Sequence, residues 1–471
     1  MVPNITKTMK TYTLIRLAIL ATCVGLSPQT HAVVPPPDGG YPNFNTAEGT
    51  NALKNLTTGA GNTGVGWYSL FSNTDGSFNT AVGAGTLALN AGGSNTAIGG
   101  AALLSNTTGI DNTAIGVTAL VNNTTGNFNT ATGVNALFYN TVGVSNNAFG
   151  WGALLLNTTG TNNNAMGVRA LQNNTEGNAN VAVGEQTLLS NTNASGNTAV
   201  GFQALFGSNG DTNTAIGYAA LLNNTTGANN TAVGANALFS NTDSDYNTAL
   251  GYQALLSNTT GLQNTAVGYQ ALSDNTTGGG NTALGNGAGA SLTTGGGNVY
   301  LGALISGVSA ESNTTYIRNV FDSVTSARQV YVDANNKIGT LASTRRVKDD
   351  IESMARASET ILALRPVTFR YKKEIDRYCT PQFGLVAEEV AEINPDLVTR
   401  DREGKPETVR YDAVNAMLLN EFLKEHKKVE KLESTVATLL ATVREQAAEI
   451  HRVSAQFRIG GSTPQIIANN P

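Results

Sequence analysis

The chain has 471 residues, a net charge of −5 at pH 7 and only 13% charged residues. Between residues 45 and 301 it carries two basic residues, Lys54 and Arg169, against nine acidic ones. With so few charged residues, most of them acidic, this stretch cannot form the basic patch that nucleic-acid binding requires. This stretch also contains none of the three histidines and no cysteine, so we expect neither a metal nor another cofactor.

The first 32 residues have the pattern of a secretory signal peptide. Basic residues precede a short apolar run over 17–26, and a small residue at Ala32 predicts cleavage after it, giving 1–32 as the signal. A lipoprotein cysteine at Cys23 is the alternative. The apolar run is too short to span a membrane as an ordinary helix, so we expect no transmembrane span in the mature chain. The interpretation is a secreted or bacterial cell-surface protein, with residues 33–44 as a stiff, polar lead-in.

A 17-residue unit, close to N-T-A-V-G-x-x-A-L-x-x-N-T-T-G-x-x, then recurs sixteen times over residues 45–302. Two of the steps, from Asn79 to Asn95 and from Asn197 to Asn213, are one residue shorter. So strict a repeat predicts a quasi-one-dimensional stack of like coils rather than a globular domain with a pocket.

Two columns of the unit are apolar. Position nine is leucine in fourteen consecutive copies, from Leu53 to Leu272, and position four is usually aliphatic, as in Val65 and Ile98. The columns predict two short strands per coil, each with one inward side, and the Asn-Thr-Thr-Gly segments predict turns. Hydrophobic burial within one slender coil does not offset the entropy lost on ordering it. Backbone ladders, asparagine stacking and contacts between chains must add to it, so we expect an obligate oligomer.

The Asn-Thr-Ala-Val-Gly core of the unit resembles the head repeats of trimeric bacterial adhesins. That resemblance implies a left-handed parallel β-roll, and because the 17-residue period exceeds that of the best-known heads, a β-prism built from three chains stays open as the alternative. The predicted fold class is mainly β, a repeat β-solenoid fibre. Residues 303–342 alternate like strands and predict a β-neck, with a turn at 333–336.

Five blocks after the neck resemble, in their order, the intramolecular chaperone domain at the C-termini of phage tailspikes, including endosialidases, and of many bacterial fibre proteins. This is a serine-peptidase family, number 74. The resemblance covers roughly residues 342–440 and implies a small α+β domain, assigned to 343–428, that helps three chains fold in register and then cuts itself off. The blocks are 343–351, 361–371, 383–390, 394–398 and 409–413.

Carried over to this chain, the resemblance implies that Ser343 is the catalytic nucleophile, Lys348 is its base, and Ala342–Ser343 is the bond that is cleaved. The chemistry is sound, because a serine hydroxyl needs a neighbouring base and a lysine can serve where burial lowers its pKa. A spacing of five residues does not place two side chains on one face of a helix or strand. Either a turn intervenes, or the lysine comes from another protomer.

Two details leave alternatives open at this site. The family often has aspartate after the serine, whereas this chain has Thr344, so Asp349 or Asp350 would have to orient the base. In the simpler interpretation, Ser343 or Thr344 caps a helix that carries Ile351, and the lysine is a solvated surface charge.

Apolar residues at heptad spacing over 429–457 predict a left-handed coiled coil, followed by a flexible tail over 458–471. β-branched residues in one column and leucine in the other favour two strands, whereas the resemblance implies three, and we expect a homotrimer. An amphipathic helix packed on its own domain is the alternative. The core columns are Val429, Val436, Val443, Ile450 and Phe457, and Leu432, Leu439, Gln446 and Val453.

These features together predict a secreted or surface homotrimeric fibre, adhesin-like, with an assembly chaperone that acts once as a self-cleaving serine endopeptidase. Its partner is its own chain, and a host-surface or glycan ligand stays open. A phage or prophage tail fibre with the same domain and a fibre that is not cleaved are the alternatives. A polysaccharide-degrading enzyme would need a cluster of carboxylates or histidines, which the repeats do not offer.

Overall fold

The computed structural model separates into two compact units, one up to residue 323 and one from residue 324. The predicted signal peptide, the lead-in up to residue 40 and the tail from residue 460 lie outside the described residues. Residues described are 41–319, 330–332, 337–339, 343–376, 378–401 and 403–459.

The first unit is a parallel β-solenoid with one three-residue strand per coil. After a 3₁₀ turn at Pro42–Phe44, each strand pairs in register with the strand one coil further along, so that Thr80 lies opposite Thr96 and Thr96 opposite Thr113. This confirms the predicted mainly β repeat solenoid. Because neighbouring strands belong to successive coils of one chain, the β-prism built from three chains is not what the structure shows. The strands are β1 Thr46–Glu48, β2 Thr63–Val65, β3 Thr80–Val82, β4 Thr96–Ile98, β5 Thr113–Ile115, β6 Thr130–Thr132, β7 Asn147–Phe149, β8 Asn164–Met166, β9 Val181–Val183, β10 Thr198–Val200, β11 Thr214–Ile216, β12 Thr231–Val233, β13 Thr248–Leu250, β14 Thr265–Val267, β15 Thr282–Leu284, β16 Val299–Leu301 and β17 Thr315–Ile317.

The aliphatic column at position four lies outside the core, and the prediction of two strands per coil is wrong. In β4, Ala97 is fully buried whereas Ile98 is 41% exposed, and Ala114 and Ile115 of β5 repeat the pattern. Successive side chains of a strand point to opposite sides, so the residue at position three faces inward and those at positions two and four face outward. The interior beside the leucine column therefore takes alanine, and the larger aliphatic side chains lie on the surface.

The leucine column is buried as predicted, but its backbone is not that of a strand. All fourteen leucines have φ between 49° and 53°, in the left-handed region. Their backbone N–H groups donate to the next coil, as Leu137 N does to the carbonyl of Ala153 at 3.0 Å. A β-branched side chain is strongly disfavoured at such a φ. This explains why position nine holds no valine or isoleucine, whereas position four accepts valine, isoleucine or leucine.

Asparagine stacking takes the form of two buried ladders, at positions one and twelve. In the first, Oδ1 of Asn62 accepts from the backbone N of Asn79 at 2.9 Å and from its Nδ2 at 3.1 Å. In the second, Nδ2 of Asn123 donates to Oδ1 of Asn106 at 2.8 Å and to the carbonyl of Gly126 at 2.9 Å. These bonds satisfy polar groups that burial would otherwise leave costly, and they bind each coil to its neighbour.

The second ladder loses its pairing where the repeat departs from asparagine. Ser208 and Leu292 stand at position twelve. In the described part of the chain, the two buried side-chain oxygens without a partner belong to the preceding residues of this ladder, Asn191 and Asn275. Each departure therefore removes the bond to the preceding asparagine, although Oγ of Ser208 still accepts from Nδ2 of Asn224 at 3.0 Å.

An aromatic pair closes the C-terminal end of the solenoid core. Tyr300 replaces the strand alanine, is fully buried, and stacks on Tyr316 with ring centroids 5.7 Å apart. Their hydroxyls donate to the carboxylate of Glu311 at 2.7 and 2.9 Å. Burial, together with this carboxylate, raises the pKa of Tyr300 far above its ordinary value. The parallel ladder thus extends through β17, into the segment assigned to the neck.

The second unit is a small α+β region, as predicted for the fold class, followed by one long helix. A two-residue hairpin, β18 Tyr331–Val332 and β19 Ile338–Gly339, precedes it, and the predicted turn at 333–336 lies outside the described residues. A small core of Val390, Leu397, Val398 and Val409 holds the α+β elements together. These elements are the 3₁₀ helices Arg345–Val347, Ala357–Ala363 and Pro395–Leu397, the antiparallel pairs β20 Val367–Arg370 with β21 Pro381–Gly384 and β22 Val398–Arg400 with β23 Pro406–Val409, and the helices α1 Ala387–Ile393 and α2 Tyr411–Ile459. In the described part of the chain, no helix has the length and apolar character that crossing a membrane would need.

Candidate active site

The structure brings the two predicted catalytic side chains together within one chain. Nζ of Lys348 donates a hydrogen bond to Oγ of Ser343 at 2.9 Å. The 3₁₀ helix Arg345–Val347 makes this possible, because it turns the backbone between them. Its bonds run from Val347 N to the carbonyl of Thr344 at 3.1 Å and from Lys348 N to that of Arg345 at 3.5 Å. An intervening turn is therefore sufficient to account for the spacing of five residues.

The helix-capping alternative does not describe this segment. Thr344 occupies the N-cap position of the 3₁₀ helix, but its side chain makes no capping hydrogen bond. Ile351 lies in irregular chain rather than in a helix. The hydroxyl of Ser343 is thus directed to an amine and not to a helix end.

The pair is exposed and has no carboxylate partner among the described residues. Ser343 and Lys348 are both solvent-exposed, as are Asp349 and Asp350. Within the described ranges, no carboxylate lies within ion-pair distance of the lysine, so neither aspartate takes the orienting role considered above. Ala342, on the other side of the predicted cleavage bond, lies outside the described residues. A lysine serves as a base where burial lowers its pKa, and in this structure Lys348 is exposed to solvent.

A second cluster around a serine, which the sequence analysis missed, is buried. Ser358, fully buried in the 3₁₀ helix Ala357–Ala363, donates to the carboxylate of Glu421 and accepts from Nδ2 of Asn420 at 2.7 Å. Nζ of Lys424 donates to the same carboxylate at 2.7 Å. The bonds from Lys424 and from Ser358 lower the pKa of Glu421. The hydroxyl of Ser358 is already engaged in a hydrogen bond to the carboxylate of Glu421. We therefore interpret this cluster as a structural contact that anchors α2 to the 3₁₀ helix Ala357–Ala363.

The adjacent glutamates at the start of α1 differ in exposure, because Glu388 is exposed and Glu389 is half-buried. Glu389 forms a bidentate ion pair with Arg365, whose Nε lies 3.1 Å from Oε2 of the glutamate. This pairing lowers the pKa of Glu389. Glu389 therefore connects α1 to the segment before β20. Nor do the described residues contain a group of three histidine, cysteine or acidic side chains that could hold a metal ion.

The apolar heptad columns of α2 are solvent-exposed along their length. The alternative in which this stripe packs on its own domain is therefore not what the structure shows, and the stripe has no cover within the single chain's described residues. The exposed fractions are Val429 49%, Leu432 64%, Val436 46%, Leu439 59%, Val443 58%, Ile450 67%, Val453 46% and Phe457 83%.

Comparison with known families identifies the segment that holds the serine and the lysine. Residues 343–399 match the family model described as chaperone of endosialidase. The match begins at Ser343 itself and confirms the resemblance of this segment to the intramolecular chaperone domain. It ends before the block at 409–413 and before α2. No curated protein and no solved structure matches the chain.

Proposed function

We propose, from the match of residues 343–399 to the chaperone of endosialidase, that this chain is a secreted or surface homotrimeric fibre, adhesin-like, whose C-terminal domain is its own assembly chaperone. The domain then removes itself by cleavage of Ala342–Ser343. One observation carries the proposal: the matched segment begins at the serine whose Oγ lies 2.9 Å from Nζ of Lys348, and it follows a parallel solenoid.

The solenoid needs such a device because its coils are nearly alike. Two chains displaced by a whole coil make almost the same contacts, so the repeats discriminate weakly between registers. The heptad stripe of α2 supplies an association site at one end of the chain, and a coiled coil with a defined heptad register aligns the chains there. Folding of the coils can then propagate from neighbour to neighbour, as in other repeat arrays.

The proposed cleavage uses the two side chains in sequence. The neutral amine of Lys348 takes the proton of Ser343 Oγ, and the oxygen attacks the carbonyl carbon of Ala342. The C–N bond of the peptide breaks as a C–O ester bond forms, and the proton passes to the released amine. Water then hydrolyses the ester, leaving a carboxylate on Ala342 and the hydroxyl on Ser343. Assembly of the trimer supplies the cover that excludes solvent from the amine, which ties cleavage to completed folding.

A fibre whose chaperone domain stays attached is the second candidate. The exposure of Ser343 and Lys348, with no orienting carboxylate in the described residues, favours it. A phage or prophage tail fibre with the same domain differs in where the protein is assembled, not in this chemistry. Secretion directed by residues 1–32 would distinguish a secreted or surface fibre from a phage tail fibre. The test is whether the mature chain begins after Ala32.

Charges placed in the heptad stripe should abolish trimer formation. The variant Val436→Asp/Leu439→Asp puts six carboxylates into a three-stranded core, where each costs several kcal/mol, so the dissociation constant should rise more than about a hundredfold. The control Ala437→Asp/Ala441→Asp adds the same charges on the outer side of α2 and should stay trimeric. The measurement is the native mass in solution, made with Ser343→Ala so that the chain stays whole. Normal trimers in the stripe variant would exclude the helix from assembly.

A further inference from the structure

A continuous apolar surface runs along the outer side of the solenoid. It is formed by positions four and six of the repeat, and we call it the outer stripe. Its members at position four include Ile98, Ile115, Met166, Leu250 and Leu284, which are 39–54% exposed. At position six they include Val117, Trp151, Tyr218, Tyr252 and Tyr269, which are 43–57% exposed.

The outer stripe is almost free of charge, and some of its aromatic side chains stack from one coil to the next. From residue 65 to residue 286 its two columns hold one charged side chain, Glu185. Aromatic side chains of position six stack on those of the next coil, with ring centroids 5.6 Å apart for Phe202 and Tyr218 and 5.4 Å apart for Tyr252 and Tyr269. A monomeric protein rarely exposes more than a few hundred Å² of contiguous apolar surface.

Other exposed apolar residues of the solenoid do not form such a surface. Ile110, Phe128 and Tyr246 occupy positions sixteen and seventeen, where neighbouring coils carry polar residues such as Asp111 and Asp245. Apolar character there is interrupted from coil to coil, whereas each coil from β2 to β15 keeps an apolar residue at position four, at position six or at both. The stripe is therefore a specific feature of two columns rather than a general property of the surface.

We propose that the outer stripe is the surface by which the solenoids of the three chains pack against one another. The inference rests on the proposed homotrimer and names its interface along the fibre. Coils repeat at the ~4.8 Å spacing of paired strands, so a partner that matches the stripe along its whole length must repeat at the same spacing. A second copy of the chain in the same register meets that requirement, and between residues 65 and 286 Glu185 is the one charged side chain that such packing brings against its own copy.

The area of the stripe is sufficient for a stable interface. The coils that contain β2 to β15 offer on average about 100 Å² of exposed apolar side chain, which gives about 1,400 Å² per chain, although Gly100, Thr132 and Glu185 contribute none. A standard specific interface needs about 800 Å² per partner. Backbone hydrogen bonds of the strands are already used between successive coils, so the chains meet through side chains of the stripe and not by adding strands.

Cysteine cross-linking tests the inference in the full chain. A cysteine-free form carrying Cys23→Ser, Cys379→Ser and Ser343→Ala receives either Ile115→Cys in the stripe or Ile110→Cys outside it. The two isoleucines are 39% and 40% exposed, so their reactivity toward a reagent should be similar. A bis-maleimide of ~10 Å reach matches the distance between packed sheets. The measured quantities are the native mass and the fraction of covalently linked chains.

We expect trimers in both forms and about tenfold more linked chains for Ile115→Cys, because packing raises the effective concentration of facing thiols. Ile216→Cys, at a second stripe position, should behave like Ile115→Cys. Trimers without preferential linkage at either stripe position would overturn the interface while leaving the homotrimer intact. Equal linkage at Ile110→Cys would equally overturn it. A native mass of one chain would overturn both the interface and the proposed function.

Discussion

Replacing Ser343 with alanine should leave the assembled chain at full length, whereas the wild type should separate into a fibre ending at residue 342 and a released domain. The substitution removes the oxygen that attacks the carbonyl of Ala342, so the cleavage rate should fall at least about a thousandfold. Intact mass of the products measures the loss. The released fragment of the wild type should have Ser343 as its first residue.

Two further variants distinguish the proposed chemistry from damage to the segment. Lys348→Arg keeps the positive charge but supplies a group that does not lose its proton, so it should also stay uncut. Thr344→Ala removes the neighbouring hydroxyl, which makes no capping bond, and should be cleaved as the wild type is. Cleavage that persists in Ser343→Ala would refute the catalytic role of Ser343. A wild-type trimer that stays whole would remove the peptidase but leave the chaperone.

Replacing Gly150 with alanine should disrupt the solenoid locally and strongly. Gly150 has φ of +134°, and a Cβ there would lie 2.5 Å from the carbonyl oxygen of Gly167 in the next coil. Glycine occupies position five in all sixteen copies of the repeat. Because both the conformation and the close approach exclude a side chain, the loss in stability should be about 3 kcal/mol or more. Hydrogen exchange of the neighbouring coils measures it directly.

Gly152→Ala is the matched control, two residues away in the same coil. Its φ is +63°, and a Cβ there would meet nothing within 4 Å. Asn135 and Arg169 occupy the same position of neighbouring coils with φ of 60° and 58°. The free energy of unfolding should therefore change by less than about 1 kcal/mol. Similar losses in the two variants would mean that coil-to-coil approach at position five does not control stability.

The repeat itself was enough to predict the stacked coils, because its period is a local property of the chain. It was harder to predict which columns of the repeat face the interior and which face solvent. Alternation allowed either Ala97 or Ile98 to face inward, and hydrophobicity favoured the isoleucine. The comparison among copies held the better signal, since position three is nearly always alanine, while position four varies from valine to Phe149 and Met166. The hydrophobic pattern of the leucine column does not distinguish a left-handed backbone from a strand. The sequence therefore predicts two strands per coil, whereas the structure has one.

At the candidate site, the family resemblance identified the two residues, and the structure showed that their side chains are in contact. Ser343 and Lys348 could be named from the motif, but the 3₁₀ turn between them could not be predicted from a spacing of five. The buried cluster of Ser358 and Glu421 joins residues 63 positions apart, and no periodicity links them. Contacts of that kind depend on how the elements pack, which a single sequence does not display.

Refolding from denaturant tests most directly whether the C-terminal domain drives assembly of the fibre. The full mature chain with Ser343→Ala and the segment 33–342 alone are refolded at the same concentration, and native mass and β-structure are followed. We expect ordered trimers from the full chain and no ordered trimers from the segment. Recovery of the same ordered trimer, or of a well-ordered monomer, from 33–342 alone would contradict the account.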